Sequence, residues 1–211
     1  MKKIFLIVLI MFIYSCSTNK PKEQTNDNNS NLTKIEKTIV NDFLDKELIK
    51  ERYKNYEDFE IIVIEEALKK AKAIDTYLYS LNDWNSMNKI HKQEDFKKIY
   101  FLDSLQIKKI KNQLKNEDVY HWKVSDFKNV KVKILKREEL RKTTNTGEYL
   151  QNNLIIYLSK PLIIDKNNVL INFEIGDGGF GFYPITHFTV LMRKINNKWV
   201  ENGYYEDGVF N

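Results

Sequence analysis

Glu174 and His187 are the two side chains best placed to do chemistry together. Val169, Ile171, Phe173 and Ile175 alternate with other residues along one segment, and Phe188, Val190 and Met192 do so along another. Successive side chains of a strand point to opposite faces. If the apolar sets face helices, Asn172, Glu174, His187 and Thr189 share the other face. On neighbouring strands Glu174 and His187 then approach, and a carboxylate beside an imidazole is what general acid–base catalysis uses. The same residues also make an ordinary wet sheet face. On that reading Glu174→Ala changes stability by no more than about 0.5 kcal/mol.

A second candidate is the loop Gly176-Asp177-Gly178-Gly179-Phe180-Gly181, which has the GxGxxG spacing. A dinucleotide site needs that loop to open a helix whose N-terminus meets the pyrophosphate. The residues that follow read as a strand containing Pro184, so a glycine-rich hairpin loop is expected, with Gly176, Asp177, Gly178, Gly179 and Gly181 as ligand-loop candidates. The three histidines, His91, His121 and His187, are far apart in the chain and form no HExxH or HxxH pair, so no metal site and no cofactor is implied. No GxSxG nucleophile elbow occurs.

Cys16 is the chain's only cysteine, which excludes an internal disulfide and a thiolate metal site. It follows Met1-Lys2-Lys3 and an uncharged run from Ile4 to Tyr14. That run is shorter than the ~20 residues a spanning helix needs, and it has the length of a signal-peptide core. Ile13-Tyr14-Ser15-Cys16 resembles the bacterial lipoprotein processing box, with an aliphatic residue at −3 and a small one at −1. The resemblance implies cleavage before Cys16 and acylation of Cys16. Two or three acyl chains hold a protein at a membrane far more firmly than one, at about 0.8 kcal/mol per buried CH₂.

Residues 17–33 hold one aliphatic residue, many Asn and a Pro, too little apolar surface to offset the entropy of ordering. This tether reaches roughly 20–25 Å as a random coil. It carries no acidic run after Cys16, which favours the periplasmic face over the cell surface. The expected organisation is therefore a signal peptide at 1–15, a lipidated Cys16 and tether at 16–33, and one domain at 34–211.

These sites need elements to position them. All seven glycines lie at or after Gly147, so helices come first (about 34–116) and a sheet later (about 119–211). Ile35, Ile39, Val40, Phe43, Leu44 and Leu48 mark a helix over 33–51, with Thr33 and Glu36 as a capping box. Phe59–Ile64 reads as a strand or a helix start, and Ala67 to Leu81 as a second helix ended by a loop at Asn82–Ser86. Phe96 to Leu114 reads as one interrupted or two short helices, with Asp103 or Ser104 as cap. Val130–Ile134, Leu154–Ser159, Val169–Ile175, Ile185–Ile195 and Lys198–Tyr205 read as strands, with Pro161 interrupting one or placing it at an edge and Asn196-Asn197 turning a hairpin. The expected fold is α+β, with N-terminal helices packed on a C-terminal antiparallel meander of about four strands.

Leu158 to Ile171 and Asn196 to Val200, together with the lipid box, resemble exported lipoproteins of Bacteroidota-like bacteria. These end in a Ser-x-Pro strand, a glycine-rich loop and an Asn/Gly-Lys-Trp hairpin. No activity is assigned to that type, so the resemblance implies location and architecture only.

Residues 106–142 hold 12 Lys and Arg against 5 Asp and Glu, between two segments that are each net −2. In an envelope protein such a surface suits an anionic lipid, a polysaccharide or another envelope protein, not nucleic acid. Three function classes stay open: a lipid-anchored binding or structural protein, an envelope enzyme using Glu174 and His187, and an inhibitor or immunity-type lipoprotein.

Overall fold

A computed structural model describes residues 31–56, 58, 60–91, 100–146, 150–179 and 182–208. Cys16, the signal segment, most of the tether and Gly181 lie outside the described residues.

The first helix, α1 (Lys34–Glu47), begins at the capping box. The Glu36 backbone N–H donates to Thr33 Oγ1 at 3.2 Å, and the Thr33 backbone N–H donates to Glu36 Oε2 at 2.8 Å. Two orphan donors of the first turn are thereby satisfied. Ile39, Val40, Phe43 and Leu44 are fully buried at helical spacing. A 3₁₀ turn, Glu51–Tyr56, leads to strand β1 (Ile61–Ile64).

Helix α2 runs Lys70–His91, straight through the expected loop at Asn82–Ser86. Asn, Asp and Ser cost a helix only tenths of a kcal/mol each, and neither Gly nor Pro interrupts. Contacts with Tyr100 hold this stretch: Trp84 lies 5.5 Å from its ring, and the Ser80 and Tyr100 hydroxyls share a 2.7 Å hydrogen bond. Helix α3 (Ser104–Gln113) is capped by Asp103 with Gln106 in a second capping box. Strand β2 (Val132–Leu135) and helix α4 (Arg137–Thr146) follow. Then come β3 (Leu150–Leu158), β4 (Leu162–Ile163), β5 (Asn168–Gly178), β6 (Tyr183–Ile195) and β7 (Lys198–Tyr205).

The fold is α+β, but its sheet has seven strands and is mixed, which corrects the expected four-stranded antiparallel meander. The order is β2-β1-β3-β5-β6-β7, with β4 also on β5. β1 lies parallel to both β2 and β3, whereas β3, β5, β6 and β7 are antiparallel. Parallel neighbours need long crossovers; α2 and α3 connect β1 to β2, and α4 connects β2 to β3. β3 and β4 pair with successive parts of β5, split at Ser159-Lys160-Pro161. There the Asn172 N–H donates to Ser159 Oγ, which takes a place in the ladder beside the proline. Asn196 and Asn197 turn the β6–β7 hairpin with φ of 49° and 63°, the left-handed geometry that Asn tolerates.

Both faces of the sheet are covered. On one, α1 packs against Val169, Ile171, Phe173, Ile175, Val190 and Met192. On the other, α2 and α3 cover Leu170, Leu191 and Tyr205, while Leu140 of α4 covers Ile62, Ile64 and Ile155. The face expected to be wet is therefore buried: Asn172 and Thr189 are 2% and 0% exposed. Their neighbours Leu170 and Leu191 require that cover, and α2 provides it.

Candidate functional site

Glu174 and His187 are direct register partners on β5 and β6. The sheet brings them together, and α2 and the chain after β7 then hold each with a different group. The Glu174 carboxylate accepts from Lys72 Nζ on α2. His187 Nδ1 lies 3.1 Å from Asp207 Oδ1. Beside them, Asn172 Nδ2 donates to Thr189 Oγ1 at 2.9 Å and to the Phe188 carbonyl at 3.2 Å. Tyr157 of β3 is Glu174's register partner on the other side. The face thus carries a row His187–Glu174–Tyr157 across three strands.

The glycine candidates divide. Gly176 and Gly178 lie in β5, next to a β-bulge at Ile175/Gly176. A Cβ on Gly176 would collide with the Tyr183 carbonyl oxygen, and one on Gly178 would sit 2.7 Å from the Leu150 carbonyl oxygen. Both glycines permit close backbone approach between strands. Asp177 accepts from the Gly179 N–H at 2.5 Å and from the Tyr56 hydroxyl at 2.8 Å. Burial, with the Asp177 hydrogen bond and charge, pushes the Tyr56 hydroxyl up to about 12. The strand β6 follows the loop, so the loop does not open a helix. The loop's polar side chain is committed to holding its own turn.

Sequence reasoning missed a crevice of about 570 Å³ lined by Glu66, Lys69, Lys72, His121 and Arg137 over Ala67, Leu68 and Val119. It opens where β1 and β2 end, at the carboxyl side of the parallel strands, where open sheets with parallel strands bind ligands. Three features build it. The Glu65 N–H donates to the Leu135 carbonyl at 2.8 Å, continuing the β1–β2 pairing past the strand ends. Glu66 Oε2 accepts from the Arg137 backbone N–H at 2.9 Å and so caps α4. His121 pairs with Glu65 at 3.0 Å. The Arg137 guanidinium sits over the Tyr157 ring, 5.5 Å from its centroid, and its Nε is buried with no hydrogen-bond partner among the described residues. Lys72 and Tyr157 link this crevice to the His187–Glu174–Tyr157 row. The lining residues form no motif; they converge only because β1 and β2 pair across some 70 residues of chain.

A second missed constellation closes the opposite face. The Glu47 side chain is fully buried and meets four donors. Arg52 Nη2 and the Tyr53 hydroxyl donate to Oε1 at 2.6 and 3.0 Å. Lys50 Nζ and the Tyr204 hydroxyl donate to Oε2 at 2.5 and 3.0 Å. Burial pushes this carboxyl up, but the Lys50 hydrogen bond and the Arg52 charge outweigh it and hold Glu47 below the usual carboxylate range. Burial raises Tyr53 and Tyr204, and the Glu47 charge adds to both, so these phenols stay protonated donors. With every lone pair of Glu47 met, the cluster works as a clamp between α1 and β7.

No group of three His, Cys, Asp or Glu fit for a metal ion occurs among the described residues, and no helix there is long and apolar enough to cross a membrane. No protein-family model, curated protein or solved structure matches the chain.

Proposed function

We propose that this chain is a lipid-anchored protein of the bacterial cell envelope with a non-catalytic binding role. The observation that carries the address is Cys16: the only cysteine stands one residue after a small residue, at the end of a cationic, apolar leader. Acyl groups on Cys16 are the membrane partner, and the tether places the domain at an average of roughly 20–25 Å from the surface on the periplasmic side.

Binding is favoured over catalysis by the state of the candidate acid–base pair. A general base needs a free acceptor within reach of substrate. Glu174 is held by Lys72, and His187, whose Nδ1 meets Asp207, keeps only its Nε2 as an acceptor, so the two do not work as one acid–base pair. The envelope-enzyme and immunity-type readings have no comparable support. The test is labelling with a palmitate analogue in a bacterial host, followed by fractionation. Wild type is expected to take the label and sediment with membranes. Cys16→Ser is expected to lose the label and to be released or left unprocessed. A Cys16→Ser protein that fractionates and migrates like wild type overturns the proposal.

A further inference from the structure

We infer that the crevice at the carboxyl ends of β1 and β2 binds a small organic acid, with one carboxylate or phosphate head and a short apolar body. Arg137 recognises the head. A guanidinium presents Nε–H and an Nη–H as a fork that fits two oxygens of an oxyanion. In Arg137 the Nε is buried and donates to no described residue. A buried donor of a charged group left without an acceptor is costly, and a turn of the guanidinium toward the crevice that Arg137 lines brings that N–H to an oxyanion.

The neighbouring acids are committed elsewhere. Glu66 Oε2 accepts from Arg137's own backbone N–H, Glu65 faces His121, and Glu174 faces Lys72. Lys72 is offset by Glu174, but Lys69 on the wall and Arg137 add positive charge that no side-chain ion pair among the described residues offsets, so the ligand is an anion. Ala67, Leu68 and Val119 line the rest, and about 570 Å³ exceeds what a bare phosphate fills. A pocket of that size with an apolar lining and few polar groups suits a small organic molecule. The Arg137–Tyr157 contact keeps the guanidinium beside the crevice before the ligand arrives. The site belongs to the folded domain, and the inference stands whether or not Cys16 is acylated.

Butyrate and butyl phosphate are titrated into the full-length chain, with inorganic phosphate and butanol as comparisons. Calorimetry gives affinity, and ¹H–¹⁵N spectra follow the Arg137 Nε–H resonance, assigned by its loss in Arg137→Lys. The expected result is saturable binding of at least one butyl anion with a shifted Arg137 Nε–H, weaker binding of inorganic phosphate, and none of butanol. Arg137→Lys keeps the charge and loses the fork, so its affinity should fall about tenfold or more. If Arg137→Lys does not fold, the Nε–H shift, assigned through Arg137→Gln, carries the test. Absence of saturable binding by both butyl anions, binding that leaves the Nε–H unmoved, or a folded Arg137→Lys that binds like wild type overturns the site. Inorganic phosphate binding as tightly as butyl phosphate overturns the apolar body. The stronger of the two butyl anions identifies the head.

Discussion

Glu174 and His187 face each other across the β5–β6 ladder, yet the carboxylate reaches up to Lys72 on α2 and the imidazole reaches out to Asp207 beyond β7. A pair that looks like acid and base in the sequence is, in the fold, two separate ties between the sheet and what covers it. Tyr157, on Glu174's other flank, carries the row on to Arg137 and the crevice.

Because Glu174 is tied and mostly covered, its removal should cost more than a wet-face residue would. The side chains of Lys72 and Glu174 are 41% and 22% exposed, so solvent screens the pair in part. Glu174→Gln is expected to lower stability by about 1 kcal/mol, at the top of the range for exposed pairs. A double-mutant cycle with Lys72→Met, read by urea unfolding, should recover most of that loss as coupling. Additive losses would show that the two groups stabilise the fold independently.

Gly176 and Gly179 separate a packing role from a ligand role for the glycine run. A methyl at Gly176 meets backbone, the Tyr183 carbonyl, which cannot swing away. At Gly179 it meets, among the described residues, only the Asp177 carboxylate. Gly176→Ala should therefore lose about 1–3 kcal/mol, the usual cost of overpacking, and Gly179→Ala clearly less. Equal melting temperatures for the two variants would contradict this account of the bulge.

Local chemistry was legible in the sequence, and long-range pairing was not. Thr33 with Glu36, Asp103 as a cap, and Asn196-Asn197 each act within three residues, so residue type alone specified them. Ile61–Ile64 and Val132–Leu135 are two four-residue apolar runs far apart, and nothing in either names the other as a parallel partner. Helix α4 was missed because Leu140 is the only apolar residue in its sequence, which leaves no apolar period to read. The crevice inherits both gaps, since it stands on the β1–β2 pairing and on the first turn of α4. Glu47 looked like one more polar position on an amphipathic helix; Tyr204, from the far end of the chain, is what closes over it.

Phe173 tests whether α1 and the sheet share one core. Its ring lies 4.8 Å from Phe43 of α1 and 6.3 Å from Tyr204 of β7, and it is fully buried. Phe173→Ala is expected to cost about 3–5 kcal/mol. The loss should appear in far-ultraviolet dichroism and tryptophan fluorescence at the same denaturant concentration. Two separate transitions would show α1 detaching on its own.

Glu47 sets the acid limit of stability. Its carboxyl titrates lower in the folded chain than in the unfolded one, because Lys50 and Arg52 outweigh the cost of burial. The unfolded chain therefore binds the proton more readily, and stability rises with pH across that interval. The contribution is fully present above the unfolded carboxylate value and is lost as pH falls through the folded one. Glu47→Gln removes the titration and strands the Lys50 and Arg52 charges around an amide. Breaking a buried ion pair from one side costs about 3–5 kcal/mol, so the variant should be much less stable at pH 7. As the pH falls below the ordinary carboxylate range, wild type should lose stability and the gap between the two proteins should narrow. Urea unfolding of both proteins from neutral to acid pH gives the comparison. A gap that stays constant with pH would mean that the buried charge of Glu47 does not stabilise the fold, and that shape alone holds the clamp.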